Sequence, residues 1–94
     1  MKPRGKQGEF WEEINRVLWE EWDPISVGKH EWIRDEYKSY VPSIFKLLIQ
    51  NESATIIAYR LNEHARVSMG LHPDSEHNLA IAKRLIILKE QFIG

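Results

Sequence analysis

The sequence predicts an all-α fold, a compact four-helix domain with a long loop after helix 1. Three observations lead there. Apolar residues recur at intervals of three and four in four separate stretches, as in helices that bury one side. Residue types that start or stop helices stand at the ends of those stretches. The chain has 94 residues, 43% apolar and 29% charged, a composition that fits one globular domain. A chain this short buries about 60–65% of its unfolded surface, enough for one modest core.

Residues 1–8 (MKPRGKQG) carry Lys2, Arg4 and Lys6 among Pro3, Gly5 and Gly8. With nothing apolar after Met1, they read as a flexible basic arm ahead of a single helical domain at 9–94. The first helix is expected over residues 9–22, with Phe10, Trp11, Ile14, Val17, Leu18 and Trp22 on one stripe. Asp23-Pro24 ends it, because a proline ring pushes the preceding residue out of the α region. The Asp23 carboxylate can accept backbone N–H groups just ahead, and Trp22 and Ile25 place apolar bulk on both sides, so this stretch reads as a structural corner. Residues 25–39 hold Gly28 and no sustained stripe. They form the long connection, tucked to the core by Trp32, Ile33 and Tyr37, and connections of this length in so small a domain are often functional.

The second helix is expected over 40–50, capped by Ser39. Pro42 then falls in the first turn, where a missing N–H is harmless. Val41, Ile44, Phe45, Leu48 and Ile49 make its apolar face; a helix begun near Asp35 would instead be kinked by Pro42. Asn51-Glu52-Ser53 is a cap-rich break. The third helix, from about residue 53 to Met69, buries Ala54, Ile57, Ala58, Leu61, Ala65 and Met69. The run Thr55-Ile56-Ile57-Ala58-Tyr59 has strand-like propensity, but the capped helical period outweighs it. Gly70 is the left-handed stop, with Leu71 as its apolar contact. Asp74 or Ser75 caps the last helix, which carries Leu79, Ala82, Leu85, Ile86 and Ile93 on one side, widened by Ile81, Leu88 and Phe92. Ile87 lies opposite, either as a single exposed apolar residue or within a self-association patch.

Composition narrows the function classes. The chain has no cysteine, which excludes disulfides and thiolate metal sites and favours a cytoplasmic setting. No apolar run is long enough to span a bilayer. The N-terminus lacks the apolar segment of a secretory signal. A net charge of −1 argues against a general nucleic-acid binder.

No Gly-rich phosphate loop, nucleophile elbow or Cys ligand pair occurs. A zinc site needs three or four converging ligands. The only candidates are His64, His72 and His77 with Asp74 or Glu76. Glu12-Glu13 and Glu20-Glu21 are adjacent pairs that point to different sides of a helix and form no acid–base dyad. Neither a catalytic residue nor a cofactor or metal site is assigned, and the expectation is a non-enzyme. A helix-turn-helix reading of the last two helices places Asp74-Ser75-Glu76-His77 at the recognition position, where Arg, Lys, Asn or Gln would be usual.

The charge pattern is more informative. Residues 9–23 hold six acids against Arg16 alone, a local net of −5. Glu20, Glu21 and Asp23 also oppose the helix dipole at the C-terminal end. Trp19 sits off the apolar stripe, beside Glu12 and Arg16. Either the following loop covers it, or it anchors an acidic docking face, since aromatics and complementary charge anchor and steer specific interfaces.

Several segments also carry a family resemblance: Leu18-Trp19-x-x-Trp22-Asp23-Pro24-Ile25, Asp35-Glu36-Tyr37-x-Ser39-Tyr40, Ile44-x-x-Leu47-Leu48 and Met69-Gly70-Leu71. Together they resemble a group of small bacterial all-helical proteins with WDP, DEYxSY and MGL motifs. The resemblance runs from about residue 14 to residue 92. It implies a four-helix domain and marks Trp22, Asp23, Pro24, Asp35, Glu36, Tyr37, Tyr40 and Gly70. Some members look like immunity proteins of toxin–immunity systems. The chain departs at Ser26-Val27-Gly28, with its glycine one place late, and at Lys38, where an acid is common.

The function expected is a protein-interaction domain. Glu12, Glu13, Glu20, Asp35 and Glu36, with Trp19 as apolar anchor, would cover a basic partner surface such as that of a toxin domain. The runner-up is a small nucleic-acid-binding regulator using the basic arm and Lys83/Arg84. A metal-dependent hydrolase on the histidines stands third.

Overall fold

Four α-helices make up the described chain, with no strand among the described residues: α1 at Gly5–Val17, α2 at Val41–Ile49, α3 at Ala54–Glu63 and α4 at Ser75–Phe92. They belong to a computed structural model that describes residues 3–22, 37–68, 70 and 72–94, with Ser68 by its backbone only. The all-α, four-helix fold read from the sequence is the one observed. Asp23, Pro24, Gly28, Trp32, Ile33, Asp35, Glu36, Met69 and Leu71 lie outside the described residues.

Helix α4 organises the domain, since α1, α2 and α3 all pack on it. Phe10, Ile14, Val17 and Leu18 from the first helix meet Val41, Ile44 and Leu48 of α2, Ile57 and Leu61 of α3, and Ile81, Ala82, Leu85 and Leu88 of α4 in one buried core. The first three stripes match the expected ones in their buried residues, except that on α2 Leu47 rather than Ile49 packs against the core; Met69 of the third stripe lies outside the described residues. On α4 the buried line is Asn78, Ile81, Ala82, Leu85 and Leu88, whereas Leu79, Ile86 and Ile93 flank it half-buried. Helices on both sides of α4 make its covered face wider than a single stripe.

Two boundaries shift from expectation. Helix α1 begins at Gly5, so Gly5–Gly8 of the expected arm are helical, and Gly8 is buried. The residue before α2 is Tyr40 rather than Ser39, and no side chain caps the helix. The Ser43 hydroxyl instead donates to the Tyr40 carbonyl at 3.1 Å. Pro42 falls in the first turn, as its missing N–H requires.

The helix ends follow the sequence signals. Asn51 takes φ +58°, a conformation that asparagine tolerates. Asn51 N–H then reaches Leu48 O and Glu52 N–H reaches Leu47 O, each at 3.0 Å, closing α2 with the paired bonds of a Schellman stop. Ser53 accepts from Ile56 N–H and caps α3, while Asp74 accepts from His77 N–H and caps α4. Gly70 has φ +67°, the left-handed stop its position predicts.

Periodicity gave no sign of two π-helical turns, Leu18–Trp22 after α1 and His64–Ser68 after α3. A π turn advances less per residue than an α turn, so neighbours fall five apart. The first turn swings Trp22 back under the core and sets Glu21 beside Arg16, five residues away.

Candidate functional site

The outer side of α1 and its π turn carries Glu9, Glu12, Glu13, Glu20 and Glu21 around Arg16. Residues three and four apart share a helix face, which lets one guanidinium hold several carboxylates. Arg16 donates to Glu13 through Nε, to Glu20 at 2.8 Å and to Glu21 at 3.3 Å. Arg84 reaches across from α4 and gives Glu21 a second ion pair at 2.7 Å. The hydrogen bond from Arg16 holds the Glu13 carboxyl below its ordinary pKa. The Arg16 pKa is raised by hydrogen bonds to Glu13 and Glu20. Exposed pairs of this kind contribute about 0–1 kcal/mol each to stability. Their larger effect is to fix where the carboxylates stand.

Of the residues the sequence singled out for binding, Glu12 and Glu20 are exposed and Glu13 is partly covered. Trp19 is half-buried, with its ring edge-on to Tyr37 at 5.9 Å, so it offers part of its indole and not a free ring. Asp35 and Glu36 lie outside the described residues. Arg84, which the nucleic-acid reading relied on, is engaged by Glu21.

Beside this ridge, the corner at Trp22 is locked from beneath. Trp22 is 1% exposed, and its ring lies 5.6 Å from Tyr37 and 6.1 Å from Tyr40. Its indole N–H donates to Asn78 Oδ1 at 2.8 Å, and Asn78 Nδ2 donates to Asn62 Oδ1 at 2.7 Å. His77 Nε2 lies 3.0 Å from the Trp22 carbonyl. A carbonyl only accepts, so Nε2 carries the proton. Asn78 and Asn62 were missed as functional positions. The one available signal was Asn78 itself, a polar residue in register with Ile81, Ala82 and Leu85.

His64 stacks on Tyr40, with ring centroids 4.1 Å apart, and its Nε2 lies 3.1 Å from Ser43 Oγ. The Ser43 hydrogen goes to the Tyr40 carbonyl, so Ser43 accepts from His64 Nε2–H. A nucleophile activated by a base has the opposite polarity; this pair links α2 to the end of α3. His64 and His77 thus serve separate contacts, and among the described residues no three His, Cys, Asp or Glu side chains converge on a metal position. No helix among the described residues is long and apolar enough to cross a membrane.

Burial, with a smaller contribution from the Arg60 charge, lowers the His64 pKa below the imidazole value of 6.5; Glu63 opposes it weakly. The unfolded chain therefore takes up a proton that the folded chain resists. Stability from neutral His64 is complete above the unfolded value and declines as pH falls from there toward the folded pKa. Thermal melts of His64→Gln from about pH 7 to about pH 5 should lose less stability with acid than the wild type. Equal slopes would remove His64 from the acid response.

No family model, no curated protein and no solved structure matches the chain.

Proposed function

We propose that this protein is a non-catalytic interaction domain that covers a basic partner with the acidic outer side of α1, in the manner of an immunity-type inhibitor. The observation that carries this reading is the Arg16 cluster. Five carboxylates stand on one face, with Arg16 and Arg84 paired among them, and Arg16 orders three of them before any partner arrives. Side chains already held in place lose less conformational freedom on binding. Their field speeds encounter with a basic surface and disfavours acidic ones. The partly exposed indole of Trp19 supplies an apolar contact beside the charges, and aromatic anchors of this kind dominate interface energetics. The resemblance to bacterial immunity-like helical domains favours a toxin domain as the partner.

The test begins with capture from the source organism's lysate at low and high salt, followed by purification and titration of whatever basic protein is retained. Glu12→Lys combined with Glu20→Lys should weaken that complex roughly tenfold or more, and Trp19→Ala should weaken it independently. A complex indifferent to all three changes would refute the proposed surface. Retention of nucleic acid, unaffected by the variants, would favour the regulator instead.

A further inference from the structure

Helices α3 and α4 leave a surface cleft of about 250 Å³ between them, lined by Thr55, Ala58, Tyr59, Asn62, Ser75 and Leu79. Spacings of three and four put its four α3 residues on one face, and Ser75 and Leu79 stand one turn apart on α4. Ala58 is buried, Leu79 half-buried and Tyr59 exposed. Among these described residues none is charged. The polar groups are two aliphatic hydroxyls, a phenol and the Asn62 amide.

The buried chain beneath Trp22 fixes what that amide presents. An indole nitrogen only donates, so Asn78 turns Oδ1 toward Trp22 and Nδ2 toward Asn62. Asn62 must then meet Asn78 with Oδ1. Its Nδ2 is the end left for the cleft, and it makes no hydrogen bond to another described residue. Flipping the Asn62 amide would set two N–H donors face to face, so the polarity chosen in the core holds at the surface. A ligand that covers this N–H must bring an acceptor, because an unsatisfied donor is costly. No cation lines the cleft to balance an anion, and the Asp74 carboxylate caps α4 directly before Ser75, which disfavours a negative acceptor. Ala58, Leu79 and the Tyr59 ring supply an apolar wall. Clefts that combine apolar walls with a few oriented polar groups bind small molecules. We infer that this cleft is a binding site for a small neutral carbonyl compound with an apolar ring, of the aromatic-amide class. Its carbonyl oxygen accepts from Asn62 Nδ2, and its ring lies along Tyr59 and Leu79. The site is separate from the acidic side of α1, and the inference does not depend on the function proposed for that side.

NMR of the side-chain amide and indole N–H signals, with benzamide titrated into the full chain, tests this. Benzamide should shift the Asn62 Nδ2 signals saturably. The Asn78 Nδ2 and Trp22 Nε1 signals should move with them, since hydrogen bonds in a chain polarise one another. Toluene keeps the ring without an acceptor, and benzoate carries an anionic one; each should bind roughly tenfold more weakly, or worse. Asn62→Asp keeps the acceptor for Asn78 but replaces the donor at the cleft with a second acceptor, and should lose benzamide binding. Tyr59→Ala removes an exposed wall and should weaken binding roughly tenfold with unchanged melting. The absence of a saturable shift with benzamide would overturn the inference. So would toluene or benzoate binding as tightly as benzamide, or full benzamide binding by Asn62→Asp.

Discussion

Trp22→Ala is expected to destabilise the domain by about 3–5 kcal/mol, a large part of the total stability of a domain this size. The indole is buried under Tyr37 and Tyr40, so truncation leaves a void in the part of the core where the first helix ends. It also removes the donor that satisfies Asn78 Oδ1. Trp22→Phe keeps most of the ring volume and loses only the N–H, and should cost about 1–3 kcal/mol. Urea unfolding at constant m-value measures both. A loss below about 1 kcal/mol for the alanine variant would mean that the surroundings collapse into the void and that the corner is not held by this side chain.

Asn78→Leu is the second large effect, expected at about 2–4 kcal/mol. Leucine has the heavy-atom branching of asparagine but is bulkier, so some overpacking adds to the loss of the polar contacts. The Trp22 N–H and Asn62 Oδ1 both lose their partner, and an unsatisfied buried polar group costs about 1–3 kcal/mol. Combining Asn78→Leu with Trp22→Phe should cost less than the sum of the two, because the donor and its acceptor leave together. A coupling of about 1 kcal/mol in that cycle would locate the hydrogen bond; strict additivity would show that the two residues act independently.

Local rules made most of the frame legible. The buried centres of the α1, α2 and α3 stripes, the Ser53 and Asp74 caps and the Gly70 stop all depend on residues within a turn or two of each other, and appear where the sequence placed them, although Leu47 takes the place expected for Ile49. The π turns were not legible, because they keep the composition of a helix and alter only its phase. Nor was the lock beneath Trp22, since Asn78 and His77 come from far along the chain and only tertiary packing brings them in. The same holds for Arg84, which reaches Glu21 from another helix and moderates a local charge that the sequence shows as purely acidic. Trp19 fell between two readings and is found between them, half-covered by Tyr37 yet still partly open.

The proposed interaction is tested most directly by the association rate constant of this protein with a basic protein retained in the capture experiment, followed by stopped-flow as ionic strength is raised. Steering by the Arg16-ordered carboxylates requires a rate that falls steeply with salt. The dependence should flatten in the variant carrying Glu12→Lys and Glu20→Lys, while its dissociation rate changes less. A rate indifferent to salt, or a wild-type dependence that the double variant retains in full, would show that the acidic side of α1 does not meet the partner.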